Sequence, residues 1–129
     1  MIPRFRAWDK ESQTMIDVSL IDFKKRVLVG DHWRFGETNF ISFDEIKLMQ
    51  STGLVDKEGT EVFEGDILHH QIQTEYTFIV KYDKDKGRWH GDGLSRTYRI
   101  DITKRFLPYY KVIGNIYENQ ELLEVDNED

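Results

Sequence analysis

The sequence predicts a mainly β protein, a small barrel or sandwich of short strands, and three observations carry that prediction. Apolar and polar residues alternate at the period of a half-buried strand, Asp- and Gly-bearing turn signals recur between the alternating stretches, and aromatic residues make up 13% of the chain. Ile16, Val18 and Leu20 face one way with Asp17 and Ser19 between them. Tyr76, Phe78, Val80 and Tyr82 alternate with Thr77, Ile79 and Lys81, and Tyr98, Ile100 and Ile102 with Arg99 and Asp101.

From the amino end, the first turn signal is Asp9-Lys10-Glu11-Ser12. His32-Trp33-Arg34-Phe35-Gly36 reads as a loop between strands, where Trp33 and Phe35 either cap the barrel mouth or anchor a partner. Ser42-Phe43-Asp44-Glu45 fits a capping box, which predicts one to two helical turns over Ile46-Lys47-Leu48-Met49-Gln50 before Thr52-Gly53 stops them; the competing reading has Lys47 to Ser51 extended. Asp56-Lys57-Glu58-Gly59 and Asp83-Lys84-Asp85-Lys86-Gly87 place Gly59 and Gly87 where a hairpin needs positive φ. Gly65 bends the chain between Val62-Phe63-Glu64 and Ile67-Leu68, with Asp66 accepting a local amide. Gly114 interrupts Val112-Ile113 and Ile116-Tyr117 as a bulge or close backbone approach would. Asn119 can cap a second short turn over Gln120-Glu121-Leu122-Leu123, and Glu124 to Asp129 have too little apolar surface to order themselves.

Length and charge bound the function. A chain of 129 residues can bury a core without staples, and the absence of cysteine excludes a disulfide scaffold, a thiolate metal site and cysteine catalysis. No apolar run approaches the about 18 residues of a membrane span and the start lacks a signal-peptide stretch, so a soluble, cytoplasmic protein is expected, with no membrane partner. The formal net charge of −6 sits in residues 118 to 129, which hold six acids and no base. Residues 37 to 66 are acid-rich, whereas residues 84 to 111 carry eight bases and three acids. That segment either neutralises against the acids in the fold or offers Arg88, Arg96, Arg99, Lys104 and Arg105 as one positive surface for an acidic partner.

Catalytic and metal motifs are missing. His69 and His70 point to opposite faces of a strand, and His32 and His90 stand alone. Glu61, Glu64 and Asp66 are better explained as acids of a solvated hairpin than as a general acid and base. Nothing matches a nucleophile elbow, a phosphate loop or a dinucleotide fingerprint, and no cofactor is implied. The remaining constellation is aromatic residues beside bases: Trp89 next to Arg88, Tyr98 between Arg96 and Arg99, Tyr109 and Tyr110 before Lys111. Single-stranded nucleic acid binds through such mixtures, although a small barrel also needs half of these rings as core.

Three segments resemble the YopX family of small phage and prophage proteins: Ile2-Pro3-Arg4-Phe5-Arg6-Ala7-Trp8-Asp9-Lys10, the stretch from Leu48 to Ile67 with its Gly53, Gly59 and Gly65-Asp66, and Val112-Ile113-Gly114-Asn115-Ile116-Tyr117-Glu118-Asn119. Gln120 stands where the family often has proline. The resemblance implies an SH3-like barrel with amino-terminal strands beside it, and no activity. The expected organisation is a β-hairpin lobe over 1–50, an SH3-like barrel over 51–118, and a short helical turn with an acidic tail over 119–129, with at most one or two short helical turns in all. The expected function is a phage-encoded, non-enzymatic binding or adaptor module for a host or phage protein; the alternative is a nucleic-acid-binding module using residues 84–111, and an enzyme ranks third. The oligomeric state is not legible.

Overall fold

Alternation and Asp-led turns become antiparallel strands throughout the residues that the computed structural model describes, 3–30, 40–94 and 99–124. The chain forms two units, Met1–Gln50 and Ser51–Asp129. In the first, β1 (Phe5–Asp9), β2 (Thr14–Asp22), β3 (Val27–Gly30), β4 (Phe40–Ser42) and the start of β5 (Ile46–Val55) lie in the order β4-β3-β2-β1-β5. Asp9 closes the first hairpin, its Oδ1 accepting from the Glu11 and Ser12 amides at 3.0 and 3.3 Å. Ala7, Leu28 and Ile46 form the core, with Val18, Ile21, Ile41, Phe43 and Leu48 against it.

Two expectations fail here. Ile16 is buried, but the β2–β3 register shifts between Val18 and Leu20, and Leu20 turns out to 51% exposure. The Ser42 hydroxyl accepts from the Asp44 amide at 3.2 Å and starts only a 3-10 turn, Phe43–Glu45. No helix follows, because Ile46 to Gln50 pair with β1 from Asp9↔Ile46 to Phe5↔Gln50, a ladder that outweighs two isolated helical turns.

In the second unit the end of β5 pairs with β6 (Glu61–Phe63) through Ser51↔Phe63 and Val55↔Glu61. A five-stranded sheet runs β10-β9-β8-β7-β11, made of β7 (Asp66–His70), β8 (Thr77–Asp83), β9 (Arg88–Gly93), β10 (Arg99–Asp101) and β11 (Tyr110–Asn115). Its core is Val62, Leu68, Phe78, Val80, Ile102, Leu107 and Tyr110. Gly65 has φ +88°, donates to the Val80 carbonyl at 2.9 Å and accepts from the Ile116 amide at 3.0 Å, so the expected bend is present. Asp66 is 1% exposed, with Oδ2 accepting the Phe63 amide at 2.8 Å; it is a buried cap and not the solvated hairpin acid expected.

The sheet is open, so the small barrel expected from the sequence does not close. One physical reason lies at β11. On its free side the Tyr110 carbonyl accepts from the Lys57 amide at 2.9 Å, and the Val112 amide donates to Asp56 Oδ2 at 2.9 Å. A turn covers this edge where a barrel would need another strand. Short turns complete the unit. Leu107–Tyr109, around Pro108, is a 3-10 turn that sequence reading missed, and Gln120–Leu123 is another. Asn119 does not cap the latter: its Oδ1 accepts the Asn115 amide at 3.1 Å. That side chain fills the space beside Gly114, where a Cβ would lie 2.5 Å from Asn119 Oδ1, and the β7–β11 register shifts between Val112 and Gly114 as a bulge requires.

Candidate ligand-binding site

The basic residues singled out in the sequence do not form one free patch. Alternation along β9 puts Arg88, His90 and Asp92 on one face and Trp89 and Gly91 on the other. On the first face Arg88 Nη1 meets Asp101 Oδ2 at 3.0 Å, while Asp92 gathers Lys81 at 2.9 Å, Arg99 at 3.2 Å and His90 Nε2 at 3.2 Å. Burial works against the Asp92 charge, but the Lys81 hydrogen bond with the neighbouring positive groups outweighs it and holds the carboxyl below the usual aspartate range. Lys111 reaches Glu58 at 3.5 Å. Lys104 and Arg105 are exposed and have no carboxylate partner among the described residues. Arg96, Trp33 and Phe35 lie outside the described residues. Gly59, at φ +84°, closes the Asp56 turn.

Arg105 leads to the site that the sequence reading did not assemble. Thr103 starts a turn by accepting the Phe106 and Leu107 amides on its carbonyl at 3.1 and 3.2 Å, and this turn sets Arg105 and Phe106 before Tyr109 and Tyr110. Phe106 stacks on Tyr110, with centroids 4.1 Å apart and 22° between planes. The loop after β7 supplies the opposite wall. Its shape is fixed by His70, whose Nδ1 accepts the Ile72 and Gln73 amides at 3.0 and 2.9 Å, and by the Gln71 amide donating to the Tyr109 carbonyl at 3.0 Å. An Nδ1 that accepts from two amides leaves the neutral ring's proton on Nε2, so His70 offers a donor there. Its ring stands edge-on to Tyr110 at 4.9 Å and parallel to Tyr109 at 6.0 Å.

Between these walls is a cavity of about 480 Å³, floored by Phe78 and Ile100 and bordered by Tyr76, Gln73 and Arg105. Gly91 permits the floor, since a Cβ there would sit 2.9 Å from Phe78 Cβ. Tyr109 is 56% exposed at the rim. The lining is apolar and aromatic, with a guanidinium and an imidazole N–H as its charged and polar donors, the character of a small-ligand or side-chain pocket. The signal for it was partly present in the sequence: Tyr109 and Tyr110 stood out beside the bases, but Phe106 joins them through the Thr103 turn, and His70 and the loop leading to Tyr76 only through the β7–β11 pairing Tyr110↔His70.

The remaining candidates do other work. His69 Nδ1 lies 2.9 Å from Thr77 Oγ1, and among the described residues no group of three His or carboxylate side chains could hold a metal ion. No helix among them is long and apolar enough to cross a membrane. In the first unit a second hollow, about 390 Å³, lies between Phe5 and the Asp17 to Phe23 stretch.

A family model described as YopX protein matches residues 4–124. None of the curated proteins compared matches. Among solved structures, the fold is similar to that of protein EF1440 from Enterococcus faecalis, with TM-score 0.68 and 32% identity over 96% of this chain and 99% of that one. It is also similar to protein yopX from Bacillus subtilis, with TM-score 0.60 and 18% identity over 95% of this chain and 96% of that one; at that identity the likeness concerns the fold alone. The chain belongs to the YopX family.

Proposed function

We propose that this member of the YopX family is a non-enzymatic binding or adaptor module of the host cytoplasm, phage-encoded in origin, and that it holds its partner in the aromatic cavity of the second unit. The observation that carries this is the cavity itself: rings from the β7 loop, the 106–110 turn and β8, several of them anchored in the core, line one hollow of about 480 Å³. A non-catalytic role is supported by what the candidate chemical groups already do. Asp66 serves a backbone amide, His70 fixes a loop, and His69 meets a threonine hydroxyl.

The test is a heteronuclear NMR titration of the whole chain with indole, phenol, N-acetylproline amide and adenosine at millimolar concentrations. Saturable shifts centred on the amides of His70, Gln73, Tyr109 and Tyr110 are expected for at least one probe, and should vanish in Tyr109→Ala. No saturable shift at those amides with any probe would refute the reading.

A further inference from the structure

The polar groups at the cavity specify more than apolar contact, and on the binding reading above we propose that the occupant is an acidic peptide segment: a ring-bearing side chain in the hollow, with an adjacent carboxylate on the Arg105 guanidinium. Arg105 borders the cavity, is exposed, and has no carboxylate of its own among the described residues. His70 adds an Nε2 donor, because its Nδ1 is already accepting from Ile72 and Gln73. A ligand here therefore brings acceptors. A planar carboxylate matches the guanidinium fork in two parallel hydrogen bonds, and the flanking rings take a ring face or edge.

Charge decides between a peptide and a nucleic-acid strand. A strand needs several unpaired cations in a track, with stacked rings between them. Arg88, Arg99, Lys81 and Lys111 each sit on a carboxylate. Of the segment's other described cations, Lys84 and Lys86 sit on the β8–β9 turn and do not line the cavity, whereas Lys104 and Arg105 are neighbours on one turn of which Arg105 borders it, enough for a single carboxylate and its flank. Ile72, 76% exposed, lies on the loop that His70 shapes, next in sequence to Gln73 of the lining, and offers an apolar contact to a peptide that continues past the hollow.

The experiment uses the full chain and three capped hexapeptides, Gly-Ser-Trp-Asp-Ser-Gly, the same peptide with Asn for Asp, and the same with Ala for Trp, together with AMP and a six-residue oligothymidylate, all followed by NMR titration. The Asp peptide should bind about tenfold or more tightly than the Asn peptide, as expected for a charge-assisted, two-pronged contact. Arg105→Gln should erase that preference, Arg105→Lys should retain part of it, and Arg88→Gln should leave it intact. Unchanged spectra away from the turn establish that each variant is folded. Equal affinity for the Asp and Asn peptides, equal affinity for the Ala peptide, or cavity shifts from AMP or the oligonucleotide but not from the peptides would overturn the proposal while leaving a binding module in place. No cavity shift with any probe, here or in the fragment titration, would overturn both.

Discussion

Replacing Asp56 with alanine should cost the second unit about 3–5 kcal/mol. The side chain is 5% exposed and both oxygens are in use. Oδ1 accepts from Glu58 at 2.8 Å and Thr60 at 2.9 Å, and Oδ2 from Val112 at 2.9 Å, 56 positions away. Glu58 and Thr60 are exposed, so water can replace the carboxylate there and each loss costs about 1 kcal/mol; the Val112 amide is half-buried at the strand edge, and stranding it costs about 1–3 kcal/mol. Asp56→Asn keeps one acceptor oxygen and turns an NH2 toward a donor, so about half of the loss should remain. Urea unfolding measures the total. Because the chain has two units, hydrogen exchange should accompany it: protection should fall first at Val112 and Lys57, with Val80 in the sheet centre still protected under native conditions. A stability within about 1 kcal/mol of the parent for Asp56→Ala, or unaltered Val112 protection, would refute the claim that this carboxylate closes the open edge of β11.

Three further outcomes follow from the same geometry. Gly65→Ala should lower stability by about 1 kcal/mol or more in denaturant melts, because φ +88° strains any residue with a Cβ; an unchanged midpoint would contradict it. Gly91→Ala should drive a methyl into Phe78, destabilise by about 1–3 kcal/mol and weaken fragment binding in the adjoining cavity, with unaltered melting and binding as the contrary result. For Asp92 the folded carboxyl titrates below the ordinary 3.8, so its ionised form adds stability above that value, lost as the pH falls through the lower folded value. Asp92→Asn should thus be less stable than the parent by a constant margin at neutral to mildly acidic pH, and the margin should shrink below about pH 3.8; a margin independent of pH would refute the coupling to Lys81 and Arg99.

The local chemistry of this chain was legible where one residue decides the backbone. Asp9, Asp83, Gly59, Gly65 and Gly87 act through conformations or hydrogen bonds within a few positions, and each does what its turn signal predicts. What depends on partners far along the chain was not legible. The Ser42 box is a sound helix start, yet the strand Phe5–Asp9 claims the residues after it. Asp56 looked like one more turn aspartate, and nothing near it in sequence announces that its second oxygen serves Val112. Barrel closure failed for the same reason, since alternation reports that a strand has two faces but not whether its free edge meets a strand or a turn.

The basic segment shows how charge read along a chain misleads about a surface. Eight bases against three acids over residues 84 to 111 suggest a cationic face, but the register decides which charges meet. Arg99 lies directly opposite Asp92, and Asp101 opposite His90, one diagonal step from Arg88; Lys81 faces His90 across the other side and reaches Asp92 diagonally. Cross-strand and diagonal neighbours lie within side-chain reach, so these three cations are matched on this face by Asp92, Asp101 and, in the β8–β9 pair, Asp83 opposite Arg88. Acids that are few in the sequence are thus placed where they neutralise most. Exposed pairs such as Arg88–Asp101 add only about 0–1 kcal/mol to stability, so their main effect is on the field. With that face neutralised, Lys104 and Arg105 contribute unpaired positive charge beside the aromatic cavity, and an anionic group drawn to this turn arrives next to the rings that can hold it.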